Sequence, residues 1–469
     1  MVSGVADRPY LFVELTNSVC SRCLRKVEAK VVAQDERVYL LKHCFAHGPE
    51  RVLISTDYAY WRACRQSLKP GQLPLKFNTP TKWGCPYDCG LCPDHEQHGC
   101  LTLVEITDQC NMRCPVCYAG SGPERLAHRD LAHVERMLDA VVANEGRPDV
   151  VQISGGEPTL HPDFFTILDR ARARPIKHLM VNTNGIKIAQ DEEFARRLAS
   201  YRPGFEVYLQ FDSLSDDALM TLRGQRLSEV RRRALDRLNE LDVSTTLVVT
   251  LQRGVNDHQI GELIAFALEQ PCVRGVTFQP VQAAGRLDDY DPARDRLTLA
   301  EVRAKILQQS PLFQAEDLIP VPCHPDCIAM GYALKIAGKV MPLASLVDPK
   351  ILLDGEGSTI MFEKNPQVRE RVYSLFSTSH SPDSSAGALK DLLCCLPKVR
   401  VPEELTYRNV FRVLIMQFLD AYNFDVRSVK KTCVHIVHPD GRLIPFDTYN
   451  MFYRDGLEAG LAAIREGGR

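Results

Sequence analysis

No apolar run in this chain reaches the roughly 18–20 residues that a bilayer-spanning helix needs, and the N-terminus carries no apolar signal-peptide core. A cytoplasmic protein, or one peripheral to the membrane, is therefore expected. An excess of charge is missing too: 57 basic residues face 59 acidic ones, for a formal net charge of −2. That balance offers no electrostatic footprint for nucleic acid. Internal repeats are also absent. Cysteine, by contrast, is abundant, with 17 in 469 residues. A chain of this length holds two or three domains and is no small disulfide scaffold. Most of the cysteines crowd between Cys20 and Cys117. Close spacing in a reducing compartment points to metal or iron–sulfur ligation, with disulfides as the competing reading.

The cysteines fall into groups. The first pairs "CSRC" (Cys20, Cys23) with "HCFAHG" (Cys44, His47), and the segment between them reads as two strands joined by a polar turn at Gln34–Arg37. Two ligand pairs on two turns have zinc-finger-like spacing, and a tetrahedral thiolate site accepts zinc or a rubredoxin-like iron. Cys64 is the rival of His47 for the fourth position. The second group, "GCPYDCGLCPDHEQHGC", holds Cys85, Cys89, Cys92 and Cys100 among glycines and prolines. Such a composition forms neither helix nor strand, and suits a loop wrapped around a cubane; a zinc knuckle is the alternative. The last group is scattered: Cys323 and Cys327 in "PCHPDC", Cys394, Cys395, and Cys433 in "TCVHI".

Between these lies "CNMRCPVCYAG", with Cys110, Cys114 and Cys117 at C-x3-C-x2-C spacing. "LTLVEIT" before it reads as a buried strand, and the apolar residues at 131, 134, 138, 141 and 142 after it have helical period. Three cysteines on a strand-to-helix loop leave one iron of a 4Fe–4S cube without a protein ligand. Downstream, "DVVQISGGEPTLHPD", "HLMVNTNG", "EVYLQFDS", "STTLVVTLQRGVND" and "RGVTFQPVQAAG" read as strands alternating with amphipathic helices. This is a βα array, with polar groups gathered at the carboxyl ends of its strands.

The cysteine loop and Gly155-Gly156-Glu157-Pro158 together resemble the radical S-adenosylmethionine (radical SAM) superfamily. That resemblance implies a partial (βα)6 barrel whose open iron chelates SAM and whose cluster cleaves it reductively to a 5′-deoxyadenosyl radical. It assigns SAM contacts to Gly155, Gly156, Glu157, Asn182, Asn184, Gln210 and Asp212, and the SAM carboxylate to Arg223. Val116 stands where many members have an aromatic residue, so Tyr118 is expected to take over the contact with adenine. No catalytic residue is implied beyond the cluster and SAM.

Over nearly the whole chain, the order of cysteine groups resembles the tetraether synthase family, which joins lipid alkyl chains. This implies a mononuclear iron or zinc at Cys20, Cys23, Cys44 and His47. It implies one auxiliary 4Fe–4S cluster at Cys85, Cys89, Cys92 and Cys100, and a second at Cys323, Cys327 and Cys433. Where the family pattern has a cysteine after "IPF", this chain has Asp447. The fourth position there is left to Asp447, to Cys394 or Cys395, or to an open iron.

The expected architecture is α/β: a metal module over 1–80, a cluster loop over 81–100, the radical SAM partial barrel over 101–285 and a C-terminal auxiliary-cluster region over 286–469. Asn409–Phe424 reads as an all-round apolar helix. The expected activity is C–C coupling on a lipid or other apolar substrate, with ferredoxin or flavodoxin as reductant. Methylation or other modification of a pterin or small molecule is the alternative, and peptide modification a third reading.

Overall fold

The computed structural model describes residues 8–66, 68, 71–322, 324–336, 339–345, 407–454 and 456–466. Cys323, Cys394 and Cys395 lie outside them.

Four antiparallel strands in sequential order open the chain: Leu11–Val19, Lys26–Gln34, Arg37–Cys44 and Gly48–Ser55. Asp35 and Glu36 join the middle pair with φ of 51° and 57°. Two successive residues at positive φ make the hairpin turn whose twist matches that of its strands. Val31, Val38, Leu40 and Val52 line one face of this ribbon and pack on Trp61 of helix Tyr58–Gln66.

Six parallel strands follow, each paired with the next: Leu101–Glu105, Val150–Ser154, His178–Thr183, Phe205–Gln210, Thr245–Leu251 and Val273–Pro280. Helices such as Leu131–Glu145 and Ser228–Glu240 connect them. Parallel strands need such crossovers, and strands buried on both faces are mostly apolar, although these also bury Gln152, His178, Glu206 and Arg274. The helix Leu131–Glu145 buries Val134, Met137, Leu138 and Val141, and Asp130 caps its start by accepting a hydrogen bond from the His133 N–H.

The C-terminal residues extend this sheet at both edges. Val410–Met416 pairs parallel to the sixth barrel strand, and Ile328–Ile336 pairs antiparallel to Val410–Met416. On the other side Val434–Val437 runs parallel to the first barrel strand and is followed by Leu443–Pro445. The helix expected over Asn409–Phe424 is therefore a strand and an irregular segment. A short apolar run has no decisive period, and pairing with Gly275–Phe278 settles it. Among the described residues, no helix is long and apolar enough to cross a membrane.

Candidate active site

The loop from Cys110 to Gly120 leaves the first barrel strand at the carboxyl end of the barrel. Its centre forms a two-residue strand, Val116–Cys117, against Arg286–Leu287. Arg286 clamps the loop by donating from Nε to the Cys114 carbonyl (2.6 Å) and from Nη2 to that of Ser121 (2.6 Å). Gly285, at φ 66°, lets the chain pass there; a Cβ would stand 2.4 Å from the Cys117 carbonyl oxygen. Sequence reasoning missed both residues, because "AAGR" carries no motif.

Gly155 and Gly156 also have a packing task. A Cβ on Gly155 would lie 2.3 Å from the Thr107 oxygen, and one on Gly156 2.2 Å from the Gln109 oxygen. The glycines let the end of the second strand lie directly on the cysteine loop's backbone, with Gly156 N–H donating to Thr107 and Glu157 N–H to Gln109, both at 2.8 Å. Glu157 turns its carboxylate inward. It accepts from the Thr159 and Thr183 hydroxyls (2.7 Å each) and from the Asn184 N–H (2.8 Å), so it braces strand ends. Burial raises its pKa.

A cavity of about 130 Å3 lies between these elements. Cys110, Cys114 and Cys117 form one side of it. Tyr118, Gly155, Gly156, Glu157, Asn182, Asn184, Gln210 and Arg223 also line it, so nearly all the expected SAM contacts converge there. Burial pushes the Cys110 thiol up to about 12, with the nearby Glu157 adding to the rise. Burial also raises Cys114, against the pull of Arg223. Buried thiols of this kind ionise when a metal takes the thiolate, so the donor set fits a metal cluster.

Asp212 stands apart from the other expected contacts. It does not line the cavity and is fully buried, bound to Arg223 at 2.6 Å and to Arg231 at 3.0 Å. Burial opposes its ionisation, yet the two guanidiniums hold its carboxyl down at about 2. It anchors the two arginines. Arg223, so held, also donates to the Val116 carbonyl (3.1 Å) and Thr250 Oγ1 (2.7 Å). Arg231 lines the cavity as well, and its Nε and Nη2 have no partner among the described residues. Its place in the arginine-rich stretch "RRRALDR" hid it.

Amides and aromatics complete the cavity. Gln210 donates to Asn182 Oδ1 at 2.9 Å, and Gln279 and Gln282 lie on the same wall. Phe418 and Phe446, from the C-terminal region, stack with centroids 3.9 Å apart, and the Tyr118 ring sits 4.9 Å from that of Phe446. Behind them Arg454 forms a bidentate pair with buried Glu105 (3.0 and 2.8 Å).

The other cysteine groups separate by size. Cys20, Cys23, Cys44 and His47 present ligand atoms all within 4.8 Å of one another; His47 Nδ1 is 3.4 Å from Cys20 Sγ and 3.5 Å from Cys44 Sγ. This suits four bonds to one ion. Cys64 is buried on helix Tyr58–Gln66, with its thiol pushed up to about 11 by burial, and stands outside the set. Cys85, Cys89 and Cys92 face one another electrostatically, and Cys89 Sγ accepts from the Thr448 hydroxyl at 2.9 Å. Cys100 sits at the foot of the first barrel strand, 3.6 Å from His98 Nε2, and the next N–H, of Leu101, donates to the Cys433 carbonyl. Cys327, Cys433 and Asp447 are all buried, and Asp447 and Cys433 both bear on the Cys327 thiol.

Sheet, three-cysteine loop and cavity have the layout of a radical SAM fold, preceded by a four-stranded, metal-binding ribbon. Residues 104–267 match the model of the Radical SAM superfamily, and residues 12–56 match that of the HMPTM N-terminal zinc ribbon domain. Among curated relatives, the 7,8-dihydro-6-hydroxymethylpterin dimethyltransferase of Methanocaldococcus jannaschii is 28% identical over 94% of both chains. The GTP 3′,8-cyclase of Geobacter sulfurreducens is 28% identical over 38% of this chain and 54% of its own. Among solved structures, Streptococcus suis SuiB bound to S-adenosylmethionine superposes with a TM-score of 0.36 at 20% identity, over 42% of this chain and 45% of that one.

Proposed function

We propose that this protein uses radical SAM chemistry to methylate, or otherwise modify at carbon, a pterin or similarly small planar heterocycle. The observation that carries this reading is the part of the cavity lining not expected to hold SAM, with the carboxamides of Gln279 and Gln282 and the Phe418–Phe446 stack. Amides match the donor and acceptor edge of a heterocycle, and aromatic rings match its faces. The full-length likeness to a pterin dimethyltransferase supports the same reading.

A 4Fe–4S cluster held by Cys110, Cys114 and Cys117 would supply an open iron for SAM and the electron for its reductive cleavage. The chain's own residues do the rest. Arg223, aligned by Asp212, and Arg231, with unpaired N–H groups, favour a carboxylate beside the cysteines. Glu157 and the two glycines fix the loop against the strand ends. Tyr118, Phe446 and Phe418 keep water away from the far side.

Lipid coupling is the second reading, and one observation bears on it. A smaller cavity of about 40 Å3 lies deeper in the barrel, lined by Met180, Met330, Met416 and Leu414 among others. The Tyr208–Gln279 hydrogen bond (3.1 Å) stands between the two spaces. Its volume is small for an alkyl chain, which favours the heterocycle.

The test is anaerobic turnover of the reconstituted protein with SAM, reductant and a reduced pterin, read by mass spectrometry. A pterin mass gain together with 5′-deoxyadenosine is expected. If 5′-deoxyadenosine forms while the pterin stays unchanged, the substrate reading falls.

A further inference from the structure

The C-terminal cysteine site contains a buried nitrogen with nothing to bind. His324 is 3% exposed, and its Nδ1 has no hydrogen-bond partner among the described residues. Its other ring nitrogen, Nε2, lies 3.3 Å from the Thr432 hydroxyl. That hydroxyl has a single proton, and it points to Asp447 Oδ2 at 2.9 Å. With its proton on Asp447, Thr432 accepts from His324 in the tautomer that carries the ring proton on Nε2, and in that tautomer Nδ1 is a bare lone pair. A bare, buried acceptor costs stability of its own. A metal is the partner that uses such a lone pair, and the hydrogen bond on the opposite nitrogen is how proteins choose which nitrogen ligates.

The surroundings supply the other donors. A turn holds the site together, with the Cys327 and Ile328 N–H groups both donating to the His324 carbonyl (3.1 and 3.0 Å). Cys327 lies three residues after His324, and Asp447 and Cys433 both act on its thiol. Asp447 is fixed by the Leu419 N–H and by Thr432, and it feels His324 directly. Among the described residues only the ribbon set closes to the dimensions of one ion. The C-terminal donors do not form such a one-ion set, and a cluster, whose ligands bind different irons, does not require one.

We propose that His324, through Nδ1, ligates an iron–sulfur cluster held also by the thiolates of Cys327 and Cys433, with Asp447 beside it. Imidazole in place of thiolate raises a cluster's reduction potential. This site would then accept electrons more readily than an all-cysteine cluster in the same chain. The proposal rests on the iron–sulfur class of the protein and is independent of the pterin reading.

Its test uses the full chain, reconstituted anaerobically with zinc in the ribbon and without SAM, so that no other imidazole or amine ligates iron. Pulsed EPR of the reduced protein is expected to show a nitrogen coupling that changes when isotope-labelled histidine is incorporated. His324→Ala should lose that coupling and the iron of one cluster. His324→Cys should keep the iron, lose the coupling and lower one midpoint potential, which keeps the test readable if the alanine variant fails to fold. Cys327→Ala should lose the same iron as His324→Ala. A nitrogen coupling that persists in His324→Cys, or iron content unchanged in Cys327→Ala, would overturn the proposal. Because none of these readouts uses turnover, they fail or succeed separately from the pterin assay.

Discussion

The ribbon and the barrel cavity both gather cysteines, and they differ in what they leave open. In the ribbon, two ligand pairs 20-odd residues apart sit on two separate turns that the hairpin between them brings together, and four donors converge on the space of a single ion. In the barrel, three cysteines from one loop face a cavity whose other walls come from several strands and from the C-terminal region. A closed set holds structure together; an open set holds a reactant. The difference teaches that donor count matters less than what borders the unfilled position.

The largest expected effect breaks this comparison most directly. Cys114→Ala should reduce 5′-deoxyadenosine formation to background, while Cys20→Ala should retain it and instead lose one zinc and lower the melting temperature. Equal loss of SAM cleavage in both variants would show that the ribbon is part of the reaction machinery.

Next comes Asp212→Asn, which leaves Arg223 and Arg231 buried with one neutral partner. Breaking a buried ion pair costs about 3–5 kcal/mol, to be read from the denaturation midpoint. A ribbon substitution at a surface pair such as Arg51–Gln34 should cost far less.

The same aspartate gives the barrel a pH dependence. Its carboxyl titrates near 2 when folded, against an ordinary value of 3.8. Its contribution is therefore complete above about pH 4 and is lost as pH falls through 2. The difference corresponds to about 2 kcal/mol, visible as a shifted acid-unfolding midpoint between wild type and Asp212→Asn. Glu206, held near 2 against its burial by His178 and Arg412, acts in the same window.

The smallest effect concerns the open side alone. Phe418→Ala removes one ring of the stack at the cavity edge. Loss of such a pair is worth about 0.5–1.5 kcal/mol. We expect the substrate KM to rise by up to about tenfold while zinc content stays at the wild-type level.

Some of this was written plainly in the sequence. The spacing of Cys20, Cys23, Cys44 and His47, the loop of Cys110, Cys114 and Cys117, and the alternation of apolar strands with amphipathic helices are local patterns. Local patterns survive reading one residue at a time, because a turn or a period needs only its neighbours. Gly155 and Gly156 were legible as necessary, but their packing role was hidden, since the backbone they admit belongs to residues 107–109.

What remained was decided by tertiary structure. Asn409–Phe424 became a strand because an edge of the barrel sheet was there to pair with it. Asp212 withdrew from the cavity because two arginines on helices Asp216–Arg223 and Ser228–Glu240 reach it. Phe418 and Phe446 joined the cavity from more than 290 residues beyond its cysteines, and His324 met Thr432 and Asp447 only through folding. Contacts of that range depend on which strands share a sheet, and no window of sequence contains that.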